Sequence, residues 1–217
     1  MTWHPEILSD GQRSVIGLIA PVVTDLGFYL GGGTALALQL GHRMSEDFDW
    51  FTPDEIPDPR WLLAELRDAG VPLANEEIAR GTVHGSVQGV KISLMEFRWA
   101  LLEPRSEWKE TGAKVASLAD LAAMKLEAVA SRGTKRDFVD VWALFRELGP
   151  LDTLLASYSK RFPKANLAHL LVALAYFDDA ERDPMPMMLW EVDWQTVRSA
   201  IERSVKQVAW PDRPSGR

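Results

Sequence analysis

FYLGGGTALALQLGHRMSEDFDWF, residues 28–51, is the stretch from which the rest of this chain is read. It divides into a short apolar strand (Phe28, Tyr29, Leu30), a glycine turn (Gly31, Gly32, Gly33), a brief helix from Thr34 to Leu40, and a second strand carrying Asp47 and Asp49. Strand side chains two apart share a face, so both carboxylates point one way while Phe48 and Trp50 point the other. Two like charges side by side are costly unless a cation neutralises them, and oxygen-only ligands suit Mg²⁺ or Mn²⁺. Glycines ahead of a helix start let backbone N–H groups approach an anion closely, and the helix N-terminus adds partial positive charge. Each feature alone has an ordinary reading, the one as a plain turn and the other as a solvated strand face. Close together in one stretch, they read as a divalent-metal and phosphate site.

The surroundings are those of a globular chain. At 217 residues it is long enough to bury about 70% of its unfolded surface, and 47% of its residues are hydrophobic. No Cys is present, which rules out disulfides and thiolate sites and fits a reducing cytoplasm. The N-terminus, MTWHPEILSD, has charge and Pro where a signal peptide needs an apolar core. The longest apolar run, Leu170 to Phe177, is too short to span a bilayer. A cytoplasmic protein with no membrane partner is expected. The formal net charge of −7 argues against a broad phosphate-tracking surface, while leaving room for a local basic patch.

Outward from the central stretch, Ser9 and Gln12 form a capping box for a helix continued by Val15, Ile19, Val22 and Leu26, which Pro21 should kink or split. Asp58 and Pro59 start a helix over 61–69 that Gly70 closes. Strands follow: one within 71–80, then 82–87 and 90–97, the last two joined by a tight turn at Gln88 and Gly89. From Ser117 the pattern is helical: Ser117 and Asp120 cap one helix, Gly133 stops it, Thr134 and Asp137 cap the next, and Gly149 with Pro150 stops that. Further helices are expected at about 152–160, 167–177 and 194–208, capped by Asn166 and Asp193. Pro184 and Pro186 fall in a loop, and 211–217 reads as a disordered tail. Helix, mixed strands and helices, then helices: an α+β order.

Several residues beyond the carboxylate pair stand out. Lys125 falls on the apolar stripe of its helix, with Leu118, Leu121, Ala122 and Val129. Either its stem packs while the ammonium snorkels to water, or the ammonium meets triphosphate. Asp137 has a capping role and a site role open to it, and Asp140 lies one turn on. Arg43 could pair with Asp47 or touch phosphate, and Ser45 could fix the loop or bond a phosphate. The four His residues show no metal-ligand spacing.

Gly32-Gly33-Thr34-Ala35-Leu36 followed by Arg43-Met44-Ser45-Glu46-Asp47-Phe48-Asp49 resembles the signature of the nucleotidyltransferase AbiEii/AbiGii toxin family, in which a GGT-A-L turn precedes R-x-S-x-D-x-D. The likeness extends to the run from Lys125 to Asp140, where family members carry a Lys about a dozen residues before an Arg-Asp pair, here Arg136 and Asp137. In looser form it covers His4 to about Trp194. It implies a nucleotidyltransferase-type mixed-sheet core over 1–108 with an N-terminal helix, a helical region over 109–210 completing the cleft, and a tail over 211–217.

The resemblance further implies Mg²⁺- or Mn²⁺-dependent transfer of a nucleoside monophosphate from a nucleoside triphosphate to an acceptor hydroxyl. The acceptor implied is RNA such as a tRNA 3′ end, and the chain would be the toxin half of a toxin–antitoxin pair with a separately encoded antitoxin. Asp47 and Asp49 would hold metal. Gly32, Gly33 and Thr34 would take the terminal phosphates, with Arg43 and Ser45 in the nucleotide site. Lys125 would neutralise the leaving group, and Asp137 would join the catalytic set, with Asp140 and Arg136 beside it. Superfamily members place a further acid on a neighbouring strand; Glu96 is the acid available on 90–97, and a salt bridge to Arg98 or Lys91 is its competing role. A basic rim from Arg132, Lys135 and Arg136 would favour RNA. The alternatives are a small-molecule nucleotidyltransferase, which the acidic balance suits better, and a nucleotide-binding or interaction protein without catalysis.

Overall fold

The computed structural model describes residues 2–208; the tail expected at 211–217 lies outside them. A 3₁₀ turn, Pro5–Ile7, leads into helix α1, Asp10–Asp25, whose Ser9–Gln12 capping box is formed. α1 continues through Pro21 as one helix, so the proline does not split it. The residues on both sides of the proline, Val15, Ile16, Ile19, Ala20 and Val23, are buried and hold the helix down across the lost hydrogen bond.

Strand β1, Tyr29–Leu30, is followed at once by α2, Gly32–Leu40, and then by β2, Phe48–Thr52. α2 therefore starts at Gly32, two residues ahead of the expected Thr34. Helix α3, Pro59–Asp68, starts on the Asp58 side chain and ends before Gly70. Strands β3 (Ala74–Ala79), β4 (Thr82–Val87) and β5 (Val90–Glu96) follow as an antiparallel run. The β4–β5 turn has positive φ at both Gln88 and Gly89, which suits a two-residue hairpin loop.

Two short strands were not expected: β6, Ser106–Trp108, and β7, Ala113–Val115. They carry the sheet beyond residue 108. The sheet order is β3-β4-β5-β2-β1-β7-β6, with β2 parallel to β5, β1 parallel to β7, and the other neighbours antiparallel. β1 and β2 thus lie in the middle, so the glycine turn and the aspartates project from the centre of the sheet.

Behind them come α4 (Leu118–Ser131), α5 (Lys135–Leu148), α6 (Leu151–Arg161), α7 (Leu167–Leu174), a short α8 (Asp178–Glu181) and α9 (Trp194–Gln207). The helix expected over 167–177 is shorter and separate from α8. Ser117, Asn166 and Asp193 cap α4, α7 and α9 with their side chains. Thr134 does not cap α5: its hydroxyl donates instead to the Asp137 carboxylate at 2.5 Å.

The central strands are buried on both faces. Phe48 and Trp50 of β2 and Leu94 of β5 are fully buried, as are Tyr29 and Leu30 of β1. Each such side chain contributes about 1.5–3 kcal/mol by leaving water. α4 bridges the two parts of the chain, touching α2 on one side and α5, α6 and α7 on the other. Among the described residues no helix is long and apolar enough to cross a membrane.

Candidate active site

The strand expected to carry both aspartates starts at Phe48, so it carries Asp49 alone and Asp47 ends the loop before it. Phe48 and Trp50 are buried in the core, while Asp47, just before the strand, and Asp49, within it, line a cleft of about 510 Å³. Gly33 and Thr34 at the start of α2 line the same cleft. The backbone ties the two halves together, since the Gly31 N–H donates to the Asp49 carbonyl at 2.9 Å.

Close approach explains the glycines. Gly32 has φ +64, and a Cβ there would sit 2.5 Å from Asp49 Oδ2. A Cβ at Gly33 would sit 2.5 Å from Arg43 Nη2. Any larger residue would push the carboxylate or the guanidinium aside. The N–H groups of Gly32, Gly33 and Thr34 open the helix, where no carbonyl of α2 can satisfy them.

Thr34 and Ser45 fasten this turn to the loop before β2. Their hydroxyls are 2.7 Å apart, and the Thr34 hydroxyl also meets the Asp47 carbonyl. The Ser45 carbonyl accepts from Gln12 Nε2 of α1 at 2.6 Å. Ser45 thus fixes the loop that presents Asp47, the first of its two expected roles.

Opposite lie the cations, each held by a buried acid of α5. Arg43 makes a two-pronged pair with Asp140, through Nε at 2.7 Å and Nη2 at 2.8 Å. Lys125 Nζ is 2.6 Å from Asp140 Oδ2 and 3.5 Å from Asp137 Oδ1. Arg132 makes its own pair with Asp137, at 2.8 and 2.9 Å. His42 Nε2 completes the shell of Asp140 at 2.8 Å. Arg43 therefore bonds Asp140 rather than Asp47. Lys125 does not snorkel: it is 4% exposed, with its ammonium between two carboxylates at the inner edge of the cleft.

Asp137 and Asp140 are both fully buried. Burial alone would raise their pKa values, but the neighbouring cations and donors win. Arg132, Lys125 and Thr134 hold Asp137 down at about 2, and Arg43, Lys125 and His42 hold Asp140 well below the usual carboxylate range. Burial keeps the His42 pKa low, despite Asp140 beside it, so its ring is neutral at pH 7. Three cations for two carboxylates leave one net positive charge facing Asp47 and Asp49.

Two expected participants are elsewhere. Glu96 is paired in register with Thr52, on the face of the sheet opposite Asp49, whose own partner on β5 is Ser93. Its carboxylate accepts from the Ile56 N–H and pairs with Arg98. Lys135 turns away from the rim: its Nζ reaches the carbonyls of Glu181 and Asp183 and lies 5.1 Å from the Trp194 ring centre. Arg132 and Arg136 remain on the cleft lining and are exposed.

Residues 183–187, a proline- and methionine-rich loop, form a wall of the cleft that sequence reasoning missed. Only the loop itself was legible. Its contact with the site rests on pairings such as Arg43 with Met188.

Among the described residues no group of three or more acids or His gathers as a metal site. Asp47 and Asp49 alone still fit Mg²⁺, which commonly takes one or two carboxylates and completes its shell with water and substrate phosphates. Asp137 and Asp140, already saturated by cations, do not suit the ion.

The geometry agrees with what this chain is similar to. It matches, over residues 19–212, the family described as nucleotidyl transferase AbiEii toxin of type IV toxin–antitoxin systems. An uncharacterized protein of Aquifex aeolicus is 32% identical over 201 residues, covering 92% of this chain and 97% of that one. JHP933 from Helicobacter pylori shares the fold at TM-score 0.53 and 20% identity, covering 90% of this chain and 88% of its own. The nucleotidyltransferase toxin MenT4 from Mycobacterium tuberculosis does so at TM-score 0.53 and 14% identity, covering 92% and 84%. With a turn of glycines, an aspartate pair and a cation cluster around one cleft, and a family match along most of its length, this chain belongs to the AbiEii nucleotidyltransferase toxin family.

Proposed function

We propose that the chain transfers a nucleoside monophosphate from a nucleoside triphosphate to a hydroxyl of RNA, and that it acts as the toxin of a toxin–antitoxin pair. The observation that carries the transfer is the convergence of Gly33, Thr34, Asp47, Asp49 and Lys125 on one cleft. The N–H groups opening α2 take the terminal phosphates, and Lys125 and Arg43 offset their charge. Asp47 and Asp49 would hold Mg²⁺, which would supply positive charge to offset part of the negative charge of the carboxylates and the triphosphate. The acceptor hydroxyl attacks the α-phosphorus in line; the new O–P bond forms as the bond to pyrophosphate breaks. Its proton passes to a carboxylate of the aspartate pair. Asp137 and Asp140 are positioning residues in this scheme, aiming Arg132, Lys125 and Arg43.

Arg132 and Arg136, exposed at the cleft, support an RNA acceptor by offering contacts to its phosphates. A second reading, a small-molecule acceptor, is favoured by the loss of Lys135 from the rim. Incubation with each labelled nucleoside triphosphate, Mg²⁺ and total RNA decides between them. Label in RNA is expected. Label only in small molecules would favour the second reading, and no label in any product would contradict both.

A further inference from the structure

The cleft has two unlike walls. One is polar: the start of α2, the aspartates and the cations. The other is the strap of residues 183–187, whose side chains are Asp183, Pro184, Met185, Pro186 and Met187.

The strap is pinned at both ends. At one, the Asp183 carbonyl accepts from Lys135 Nζ at 2.5 Å, and its carboxylate accepts from the Lys135 N–H at 3.0 Å. At the other, the Met187 carbonyl accepts from the Met44 N–H at 2.9 Å, Met188 bridges to Arg43, and the N–H groups of Leu189 and Trp190 both donate to the His42 carbonyl. Trp190 packs edge-on against His42 and Trp142. Yet on this fixed backbone Met187 is 72% exposed. A rigid segment holding a large apolar side chain in water, beside a charged cleft, is poorly explained by folding alone.

We propose that the strap is the nucleobase subsite: the base of the incoming nucleoside triphosphate lies against Met185 and Met187, which alternate with Pro184 and Pro186, while its phosphates meet the polar wall. This rests on the nucleotide-cleft reading above. The chemistry suits a base. Pro184 and Pro186 have no N–H, and a methionine thioether is polarizable and makes favourable contacts with aromatic rings. The strap thus presents its side chains to a π-face and few donors to a phosphate. Continuity supports the donor nucleotide over the acceptor, because the strap is bonded to residues 42–44, immediately ahead of the loop that presents Asp47. The cleft volume, about 510 Å³, falls in the range of about 300–1,000 Å³ typical of pockets for ligands of this size.

The test compares a non-hydrolysable nucleoside triphosphate with inorganic tripolyphosphate, each with Mg²⁺, by calorimetric titration of wild type, Met187→Ser and Met187→Leu. Because Met187 is exposed, neither substitution should unfold the protein, and melting curves check this. Met187→Ser is expected to weaken the nucleoside triphosphate about fivefold while leaving tripolyphosphate unchanged, with Met187→Leu recovering most of the loss. An unchanged affinity for the nucleoside triphosphate in Met187→Ser would overturn the assignment, as would an equal loss for both ligands. A normal nucleotide affinity with a raised KM for RNA would overturn it by giving the strap to the acceptor. If wild type binds neither ligand, the nucleotide-cleft reading fails and the subsite with it.

Discussion

Two pairs of aspartates differ in what they already bond. Asp47 and Asp49 sit two apart, one just before β2 and one within it, and line the cleft; among the described residues neither is in a salt bridge. Asp137 and Asp140 sit three apart on a helix, fully buried, and between them hold Arg43, Lys125, Arg132 and His42. In the proposed scheme the first pair takes the metal ion; the second already holds cations, which line the cleft with the first pair. An acid in a family signature is therefore not by that fact a metal ligand, and what separates the two cases is what each carboxylate already bonds.

The contrast breaks most visibly at Asp140. Asp140→Asn removes a buried charge from beside Arg43 and Lys125, which are each 4% exposed, and should cost about 3–5 kcal/mol in urea denaturation. A cost near zero would mean that these cations find water or another partner, and that Asp140 is not what holds them.

Asp137 sharpens the comparison through pH. Its pKa in the folded protein, about 2, lies below the ordinary 3.8, so the unfolded chain takes up the proton first. The stabilisation is complete above about pH 4, is lost as pH falls through 2, and amounts to roughly 2 kcal/mol. Asp137→Asn should flatten that part of the stability curve measured between pH 4 and 2. An equally steep curve in the variant would remove Asp137 from the ion-pair network.

Lys125→Met keeps the stem and deletes the charge. Asp140 retains Arg43 and His42, so the variant should fold, and tripolyphosphate should bind at least tenfold more weakly, about 1.4 kcal/mol. Unaltered affinity would leave Lys125 as packing alone. Least of all should change in Glu96→Gln: with the carboxylate on the opposite face and engaged by Arg98, turnover should stay near wild type. A hundredfold fall would bring Glu96 into the site and undo the division of labour among the acids.

What could be read ahead of the structure was local. The alternation around Asp49 and most caps are set by neighbours within four residues and appear where the sequence puts them, whereas the glycine turn is shorter than expected, its last two glycines opening α2. Strands β6 and β7 escaped because three residues carry no period; they exist by pairing with each other and with Leu30. Pro21 does not split α1, which is buried on both sides of it. The work of Asp140 was hidden because its partners, Arg43 and His42, are 97 and 98 residues away. Lys135 looked like a rim cation for the same reason: the carbonyls that hold it belong to residues 181 and 183. Charge placement depends on contacts that only the folded chain makes.

Mn²⁺ binding followed by electron paramagnetic resonance, with a non-hydrolysable nucleoside triphosphate present, tests the two roles side by side in wild type, Asp49→Asn and Asp137→Asn. The expected result is that Asp49→Asn loses the bound ion with its melting temperature unchanged or slightly raised, because like-charge repulsion is relieved, while Asp137→Asn, though less stable, still binds it. Bound Mn²⁺ in Asp49→Asn, or its loss in a folded Asp137→Asn, would contradict the assignment of the open pair to metal and the buried pair to cations.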